Sequence, residues 1–455
     1  MPRTSLLIVS AVALLHAAAY IVHQQPDWGN GISWTDQSGY QQLGAALATT
    51  GQFTRVPNSP TYVPEAIRTP GYPAFLAAIY LVFGVGNQMA VVVIQAFVFA
   101  GICLMAFSIG RYLVDADVGV LAAALTAAFS PLPYFAALAM TELWTTFLLT
   151  ATLLVTLRAR SLNSTRLAAA AGILAGVTAL TRPVFVLLPF GLFGMILVVH
   201  WFKDARRWVI ATALALLVLA PWFAYNYIHF DRFTMSPANG FGRAVWEASW
   251  QGHWAGKLQD ELTQLADRTR QDRAALDAGV HELAKTNHED PAPMLEYVHQ
   301  WQDIRLLWFD VADPTERAMA RLRADDTYMQ QGIANAMADP VGHLRRRFVR
   351  GLPVLWVAEI PYRYSGIDAL PVWVIRAMWA IQALLIALAV IGIVVGVRSA
   401  HWRETLVIAA VPVYITAVHW LLLTEARQSL PGIPAVLVLA AFAVIWLRRR
   451  GTSAA

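Results

Sequence analysis

The chain has 455 residues, 57% hydrophobic and only 14% charged, against roughly 25% charged residues in a typical soluble domain. A net charge of +5, with the basic residues set between apolar segments, does not point to nucleic acid, and a single cysteine, Cys103, excludes an intramolecular disulfide and a thiolate metal site. This is the composition of an integral membrane protein.

Ten segments are expected to cross a bilayer, since a crossing helix needs about 20 apolar residues. In chain order they are Ser5–Val22, Met89–Leu113, Gly119–Pro133, Thr141–Leu157, Arg166–Leu180, Val184–Trp201, Trp208–Trp222, Val372–Val397, Thr405–Leu423 and Leu430–Leu447. Cys103 lies within the second and reads as packing. The apolar run Gly71–Phe83, "GYPAFLAAIYLVF", is too short for a typical span and is expected to be an interfacial or re-entrant helix.

The basic residues support that choice. Arg3, Arg111, Arg158, Arg160, Arg166, Lys203, Arg206, Arg207, Arg398, Arg403 and Arg448–Arg450 all fall on one side if Gly71–Phe83 does not cross. Basic loops stay in the cytoplasm, so both termini are expected inside. Met1–Tyr20 also has features of a signal peptide, but no clean small-residue cleavage site follows, and a retained first span is preferred.

The expected organisation is a seven-span N-terminal membrane module at 1–222 with a first outer loop at 23–88. An extracytoplasmic region with helices follows at 223–350, and then a three-span C-terminal module at 351–455. In the middle region Asp260–Asp277 and Asp313–Met337 carry mixed charge with helical spacing of small and apolar residues. They read as soluble helices. His343–Trp356, "HLRRRFVRGLPVLW", is basic and amphipathic, suited to the membrane interface. The Trp-rich stretch Trp246–Trp254, "WEASWQGHW", suits either stacking on sugar rings or a place at the interface.

Just outside the first span stands "WTDQSGYQQLGAALATTGQF". Asp36 there has two readings. It is a helix N-cap, accepting backbone N–H groups, or a general base at the outer face. Downstream, "PEAIRTPGYPAFLAAIYLVFG" brings Glu65 and Arg68 to the same side.

The order of these motifs resembles a known family. Asp36 with Tyr40, then "LGAALATTGQF", then "RTPGYPAFLAAIYLVFG", followed by "SPLPYFAALAMTELWTTFLL", "ALTRPVFVLLP", "APWFAYNYIHFDRF" and "TEARQSLPGIP", is similar to the C-type membrane glycosyltransferases. Within that group the resemblance is to family 39-like relatives of protein mannosyltransferases and aminoarabinose transferases. It covers both hydrophobic blocks, most of the chain outside an insertion at Phe241–Pro340. It implies an all-α polytopic membrane fold of the GT-C type, with about ten transmembrane helices plus interfacial helices and a mostly helical extracytoplasmic insertion.

The resemblance further implies transfer of a sugar from a polyprenyl-phosphate carrier to a glycan, lipid or protein acceptor at the outer face of a bacterial inner membrane. The partners are then the lipid-linked donor, the acceptor and membrane lipids. Asp36 takes the position of the family's catalytic acid in the first outer loop and would accept the proton of the acceptor hydroxyl as the new bond forms, with inversion at the sugar.

The phosphate leaving group calls for cations. Arg68, Arg427 and Arg182 are the candidates, because guanidinium forks match phosphate oxygens. Each has a plainer reading: Arg68 as an interfacial anchor, Arg427 as the partner of Glu425, and Arg182 as a cation at a helix C-terminus. Glu142, in "AMTELW", is either charge compensation in a first helical turn or the family's second outer-loop acid. Tyr40, Glu65 and His419 are further candidates for substrate binding. His419 stands inside an apolar span, where an ionisable residue either faces a cavity or bonds a neighbouring helix.

Asp36, Glu142 and His419 are the candidates for a divalent cation such as Mg²⁺ or Mn²⁺, without diagnostic spacing. Two features depart from the family: Asp36 is followed by Gln37 where eukaryotic protein mannosyltransferases have an adjacent Asp-Glu pair, and there is no repeated outer carbohydrate domain. The competing class is a transporter or flippase of lipid-linked sugars. That would place polar groups near mid-membrane, with broken helices and repeats, whereas here they gather at one face. A scaffold without activity leaves the gathering of Asp36, Glu65, Arg68, Glu142 and Arg427 unexplained.

Overall fold

A computed structural model describes residues 2–24, 36–238, 241–254, 257–270, 272–309, 311, 313–359 and 371–453, so part of the first outer loop, 25–35, lies outside the described residues. Among the described residues the chain is all-helical. The first half contains α1 (Pro2–Gln24), α2 (Asp36–Thr50), α3 (Gly71–Phe83), α4 (Gln88–Leu113), α5 (Ala116–Ala128), α6 (Pro131–Ala136), α7 (Thr141–Ser161), α8 (Thr165–Thr181), α9 (Leu188–Val199) and α10 (Ala205–Phe230). The insertion holds α11 (Phe241–Trp250), α12 (Leu258–Thr269), α13 (Arg273–Asn287), α14 (Pro291–Phe309) and α15 (Pro314–Ala338). The chain then passes through α16 (Pro340–Arg346), α17 (Leu352–Trp356), α18 (Val372–Val397), α19 (Trp402–Leu421) and α20 (Ile433–Ser453).

Among the described residues six runs can cross a membrane by length and composition: α1, α4, α10, α18, α19 and Ala426–Gly451, which contains most of α20. α3, α5, α8 and the run Pro183–Val199 are apolar but shorter. At 1.5 Å per residue the 13 residues of α3 span about 20 Å, short of the roughly 30 Å hydrocarbon core. With several apolar helices and the GT-C-like architecture described below, this is a multi-pass membrane protein.

Two local devices hold the bundle together. The small residues Ala168, Ala171, Ala175 and Ala179 of α8 are buried in one core with Ala211 and Ala215 of α10. Small side chains let two helix backbones approach, and in lipid that close packing drives association. α7 is rich in threonine. Thr145, Thr146, Thr150 and Thr152 each return the hydroxyl to the carbonyl four residues back, so a polar sequence stays satisfied in the bundle interior.

Several sequence expectations need correction. The expected span Gly119–Pro133 ends at Ala128; a separate short helix then begins at Pro131, whose missing N–H costs nothing at a first helical position. The segment expected to stop at Trp222 continues through Pro221 to Phe230, where Asn226 donates to the carbonyl of Thr234 at 2.7 Å. Asp260–Asp277 is two helices, broken where Arg270 takes a left-handed φ of 49°. Asp313–Met337 is helical as expected, in α15, capped by Asp313 accepting from the N–H groups of Thr315 and Glu316.

Trp246, Trp250 and Trp254 neither face sugar nor line a membrane interface. They are buried, and Trp246 stacks on Tyr297 at 5.4 Å and on Trp301 at 5.9 Å. Finally, His343–Trp356 is not one regular amphipathic helix. A π turn at Arg347–Gly351 separates α16 from α17 and buries Arg347.

Candidate active site

α2 begins at Asp36, next to the described end of the first outer loop, and runs against α3. Between α2 and α3 a loop carries Glu65 and Arg68. Glu65 is buried and fully engaged. Its carboxylate takes two bonds from Arg55, at 2.5 and 3.0 Å, and accepts the backbone N–H groups of Ile67 and Arg68. Glu65 therefore braces the loop that presents Arg68.

Arg68 lies with its guanidinium 4.1 Å over the ring of Tyr40 and puts Nη2 3.2 Å from Oδ1 of Asp36. Gly39 makes room for this: a Cβ there would stand 2.8 Å from Nε of Arg68. Gly71 makes a second close approach possible. A Cβ there would meet the backbone carbonyl of Leu180 at 2.7 Å, so the start of α3 rests directly on the end of α8.

α7 supplies Glu142, which is buried in its first turn. The strand of chain leading into α7 is fixed from α2: Gln37 Oε1 accepts the Ala139 N–H at 2.7 Å. Gln95 donates to the carbonyls of Ala136 and Leu138 and accepts from the Tyr72 hydroxyl, which holds the same turn from below. Asp36 and Glu142 are thus placed by one network.

Arg427 closes the cluster. It stands on a 3-10 turn, Ala426–Gly432, between α19 and α20. Its Nη1 is 3.3 Å from Oδ2 of Asp36 and 3.1 Å from Oε1 of Glu142, while Nε is 2.9 Å from Oε2 of Glu425. Glu425, Glu142 and Asp36 thus surround this guanidinium with three carboxylates. The partnership with Glu425 read from the sequence exists, but it is one of three. Glu425 also forms a reciprocal capping box with Gln428, and Glu359 accepts the backbone N–H of Ala426 at 2.8 Å.

Arg182 ends α8 and reaches towards Glu142 at 3.9 Å, beyond hydrogen-bond range, leaving its buried Nη1 with no hydrogen-bond partner. It lines a half-open cavity of about 180 Å³ together with His419, Ser236, Leu423 and Gln428. His419 is buried and turns Nδ1 to the carbonyl of Ile415 at 2.8 Å, within its own helix. It borders the cavity but does not join the carboxylates.

The structure brings together Asp36, Arg68, Tyr40, Glu142, Arg427 and Arg182, with Glu65 behind them and His419 to one side. Reading the sequence for site residues missed Glu425 as a member, and Gln37 and Glu359 as supports. The position between Asp36 and Glu142 is filled by the Arg427 guanidinium, and among the described residues no group of three His, Cys, Asp or Glu side chains could hold a metal.

A family model described as dolichyl-phosphate-mannose-protein mannosyltransferase matches residues 67–225. No curated protein matches the chain in sequence. Among solved structures, the oligosaccharyltransferase AglB of Archaeoglobus fulgidus, in complex with an inhibitory peptide and a dolichol-phosphate, is similar with a TM-score of 0.52 and 14% identity; the alignment covers 99% of this chain and 52% of that one. The A. fulgidus oligosaccharyltransferase in complex with Zn and sulfate gives 0.51 and 14%, covering 97% and 49%. ArnT of Cupriavidus metallidurans bound to undecaprenyl phosphate gives 0.41 and 13%, covering 96% and 77%. The chain spans about half the length of those oligosaccharyltransferase chains, so what it shares with them is the membrane architecture: the fold is GT-C-like, as the order of its motifs implies.

Proposed function

We propose that this chain is an inverting membrane glycosyltransferase that moves a sugar from a polyprenyl-phosphate carrier to an acceptor hydroxyl. The observation that carries the reading is the meeting of Asp36 from α2, Glu142 from α7 and Arg427 from the α19–α20 turn, with Arg68 and Arg182 around them. Carrier relatives of this fold and the matched family model support the same chemistry.

The cluster as it stands opposes three carboxylates, Asp36, Glu142 and Glu425, with three guanidiniums, Arg68, Arg182 and Arg427. A carrier phosphate entering it competes for the guanidiniums. Arg182 is the most available, with an unsatisfied buried nitrogen beside a cavity. As Arg68 and Arg427 turn to phosphate oxygens, the Asp36 carboxylate is released to accept the acceptor's proton. Attack from the side opposite the phosphate then gives inversion in one displacement. Tyr40 keeps the Arg68 guanidinium over its ring in either state. Before the carrier enters, Arg427 supplies the positive charge between Asp36 and Glu142 that it then turns to the phosphate.

The chain lies in the bacterial inner membrane with both termini in the cytoplasm and the site facing outward. Ten crossings form two modules, 1–222 and 351–455, flanking the outer region 223–350, and α3 stays at the interface. The acceptor is a glycan, lipid or protein of the envelope. A transporter is the weaker reading, because the charged groups gather at the end of the bundle that carries the insertion.

The test is a strain lacking the protein, with envelope glycans read by mass spectrometry after rescue by the wild type or by Asp36→Asn. The variant should still bind undecaprenyl phosphate but lose transfer by about 10²–10⁴, the usual contribution of a positioned base. Near-normal transfer by Asp36→Asn would return Asp36 to a structural role.

A further inference from the structure

Arg347 is the most buried charged side chain of the insertion's border, with 1% exposure. It sits on the π turn between α16 and α17, and it meets backbone carbonyls instead of a carboxylate. Nε donates to Trp420 O at 2.9 Å, and Nη2 donates to His419 O at 3.0 Å and to Leu422 O. Those carbonyls belong to the C-terminal end of α19, where a helix has acceptors without intrahelical donors and the negative end of its dipole. Burial alone pushes the Arg347 pKa down to about 10, with no carboxylate to reverse it.

The fourth bond leads elsewhere. Nη1 of Arg347 donates to Oε1 of Gln251 at 2.5 Å, just beyond α11. The same oxygen accepts the N–H of Thr424 at 3.2 Å and its hydroxyl at 2.8 Å, while Gln251 Nε2 donates to Thr424 O at 2.8 Å. Leu423 adds a backbone bond to Ala244 O at 2.9 Å. Residues 422–424 are therefore held on every side by the insertion, and three residues further on stands Arg427.

We propose that Arg347 and Gln251 are positioning residues: they couple the insertion to the segment 422–428 and thereby set Arg427 between Asp36 and Glu142. The proposal rests on the reading of Arg427 as a ligand of the carrier phosphate. A buried guanidinium satisfied only by carbonyls is an expensive way to end a helix, which a glycine turn achieves with no charge at all. What the guanidinium adds is simultaneous hold on α19, on Gln251 and, through Gln251, on Thr424. The insertion, which lies outside the family-like blocks, then has a role: it fixes the geometry of a site to which it gives no reacting group.

The experiment uses the full chain in nanodiscs, with undecaprenyl phosphate as the probe. Arg347→Met and Gln251→Ala should each weaken carrier binding about tenfold, near one charge-assisted hydrogen bond. Both should speed amide exchange in 422–428, and Arg347→Lys should restore part of each. If Arg347 acts through Arg427, the double variant Arg347→Met with Arg427→Ala should bind no worse than Arg427→Ala alone. Additive losses, or wild-type exchange in 422–428 in both single variants, would overturn the proposal. If Arg347→Met does not fold, Gln251→Ala decides alone, since it removes no charge. Should Arg427→Ala leave carrier binding unchanged, the reading of the site fails, and the exchange of 422–428 still judges the coupling by itself.

Discussion

In the insertion, Trp246 lies stacked on Tyr297 and gives its indole N–H to Gln300 at 2.7 Å. At the same end of the molecule, Arg182 buries a guanidinium nitrogen with no hydrogen-bond partner at all. The two regions treat these particular donors differently. The insertion surrounds its tryptophans with Leu258, Leu262, Leu276, Val280 and Val298 and closes the indole bonds internally. The site keeps Asp36, Glu142 and Glu425 against Arg68, Arg182 and Arg427, with distances of 2.9 to 3.9 Å and capacity left over. Gln302 on α14 also buries an amide with no hydrogen-bond partner, so what sets the site apart is that its unsatisfied nitrogen belongs to a cation beside a cavity. The comparison can be broken or sharpened by substitution.

The largest effect is expected at Arg427. Arg427→Ala leaves Asp36 and Glu142 without their shared cation, and Glu142 is 1% exposed. Removing one partner of a buried ion cluster costs about 3–5 kcal/mol. Thermal unfolding should drop accordingly and transfer should be lost, with Lys restoring charge but not the fork that reaches three carboxylates. A variant as stable as the wild type and still active would show that the cluster is held by other means.

Next comes the insertion core. Leu262→Ala should destabilise by about 2–5 kcal/mol, the usual range for a fully buried leucine. Folded molecules should nevertheless bind undecaprenyl phosphate as the wild type does, because the apolar Leu262 on α12 takes no part in the hydrogen bonds of Gln251 and Arg347. Parallel loss of affinity and stability would mean that the whole insertion, and not its contact with 422–424, shapes the site.

The site variant Gly39→Ala separates function from stability. Its new Cβ would stand 2.8 Å from Nε of Arg68, and the flexible guanidinium would be displaced from Asp36. Alanine in a helix interior is worth about 0.5–1 kcal/mol over glycine, so unfolding should stay within about 1 kcal/mol of the wild type. Transfer should fall about tenfold, the worth of one charge-assisted hydrogen bond. Full activity in this variant would free Arg68 from the proposed role.

How much of this was legible in the sequence follows from which signals are local. Asp36, Arg68, Glu142, Arg182 and Arg427 stand at edges of apolar runs, where a charge at one face of a membrane bundle is conspicuous. The helical insertion was legible from its charge and Leu/Ala spacing. The pairing of Glu65 with Arg55 was not legible, because Arg55 lies ten residues back in an irregular loop with no periodicity to read. The burial of Arg347 was not legible, since His343–Trp356 reads as one basic amphipathic helix suited to the membrane interface. The π turn adds a residue to the turn and rotates the side chain inward, and no propensity announces such a turn. Trp246 and Trp250 share one face of α11 and Trp254 lies beyond its end, yet whether these rings meet sugar, lipid or protein depends on Tyr297 and Tyr328, far along the chain.

The smallest effect is expected at the exposed pair of Arg232 and Asp326, which joins the end of α10 to α15. Its bonds are short, 2.5 and 2.6 Å, and as well aligned as any in the site. The side chains, however, are 35% and 46% exposed, so water screens the attraction and offers both groups an alternative. Asp326→Asn should cost less than about 1 kcal/mol, and less still at high salt. The hydrogen bond from Arg232 holds the Asp326 pKa below its ordinary value of 3.8. A carboxylate with a depressed folded pKa contributes its stability fully above the unfolded value and loses it as pH falls through the folded one. The difference in unfolding temperature between wild type and Asp326→Asn should therefore be constant above about pH 5 and vanish in the acid range below 3.8. A cost as large as that of Arg427→Ala would show that bond geometry outweighs burial, and the contrast between the two regions would lose its physical basis.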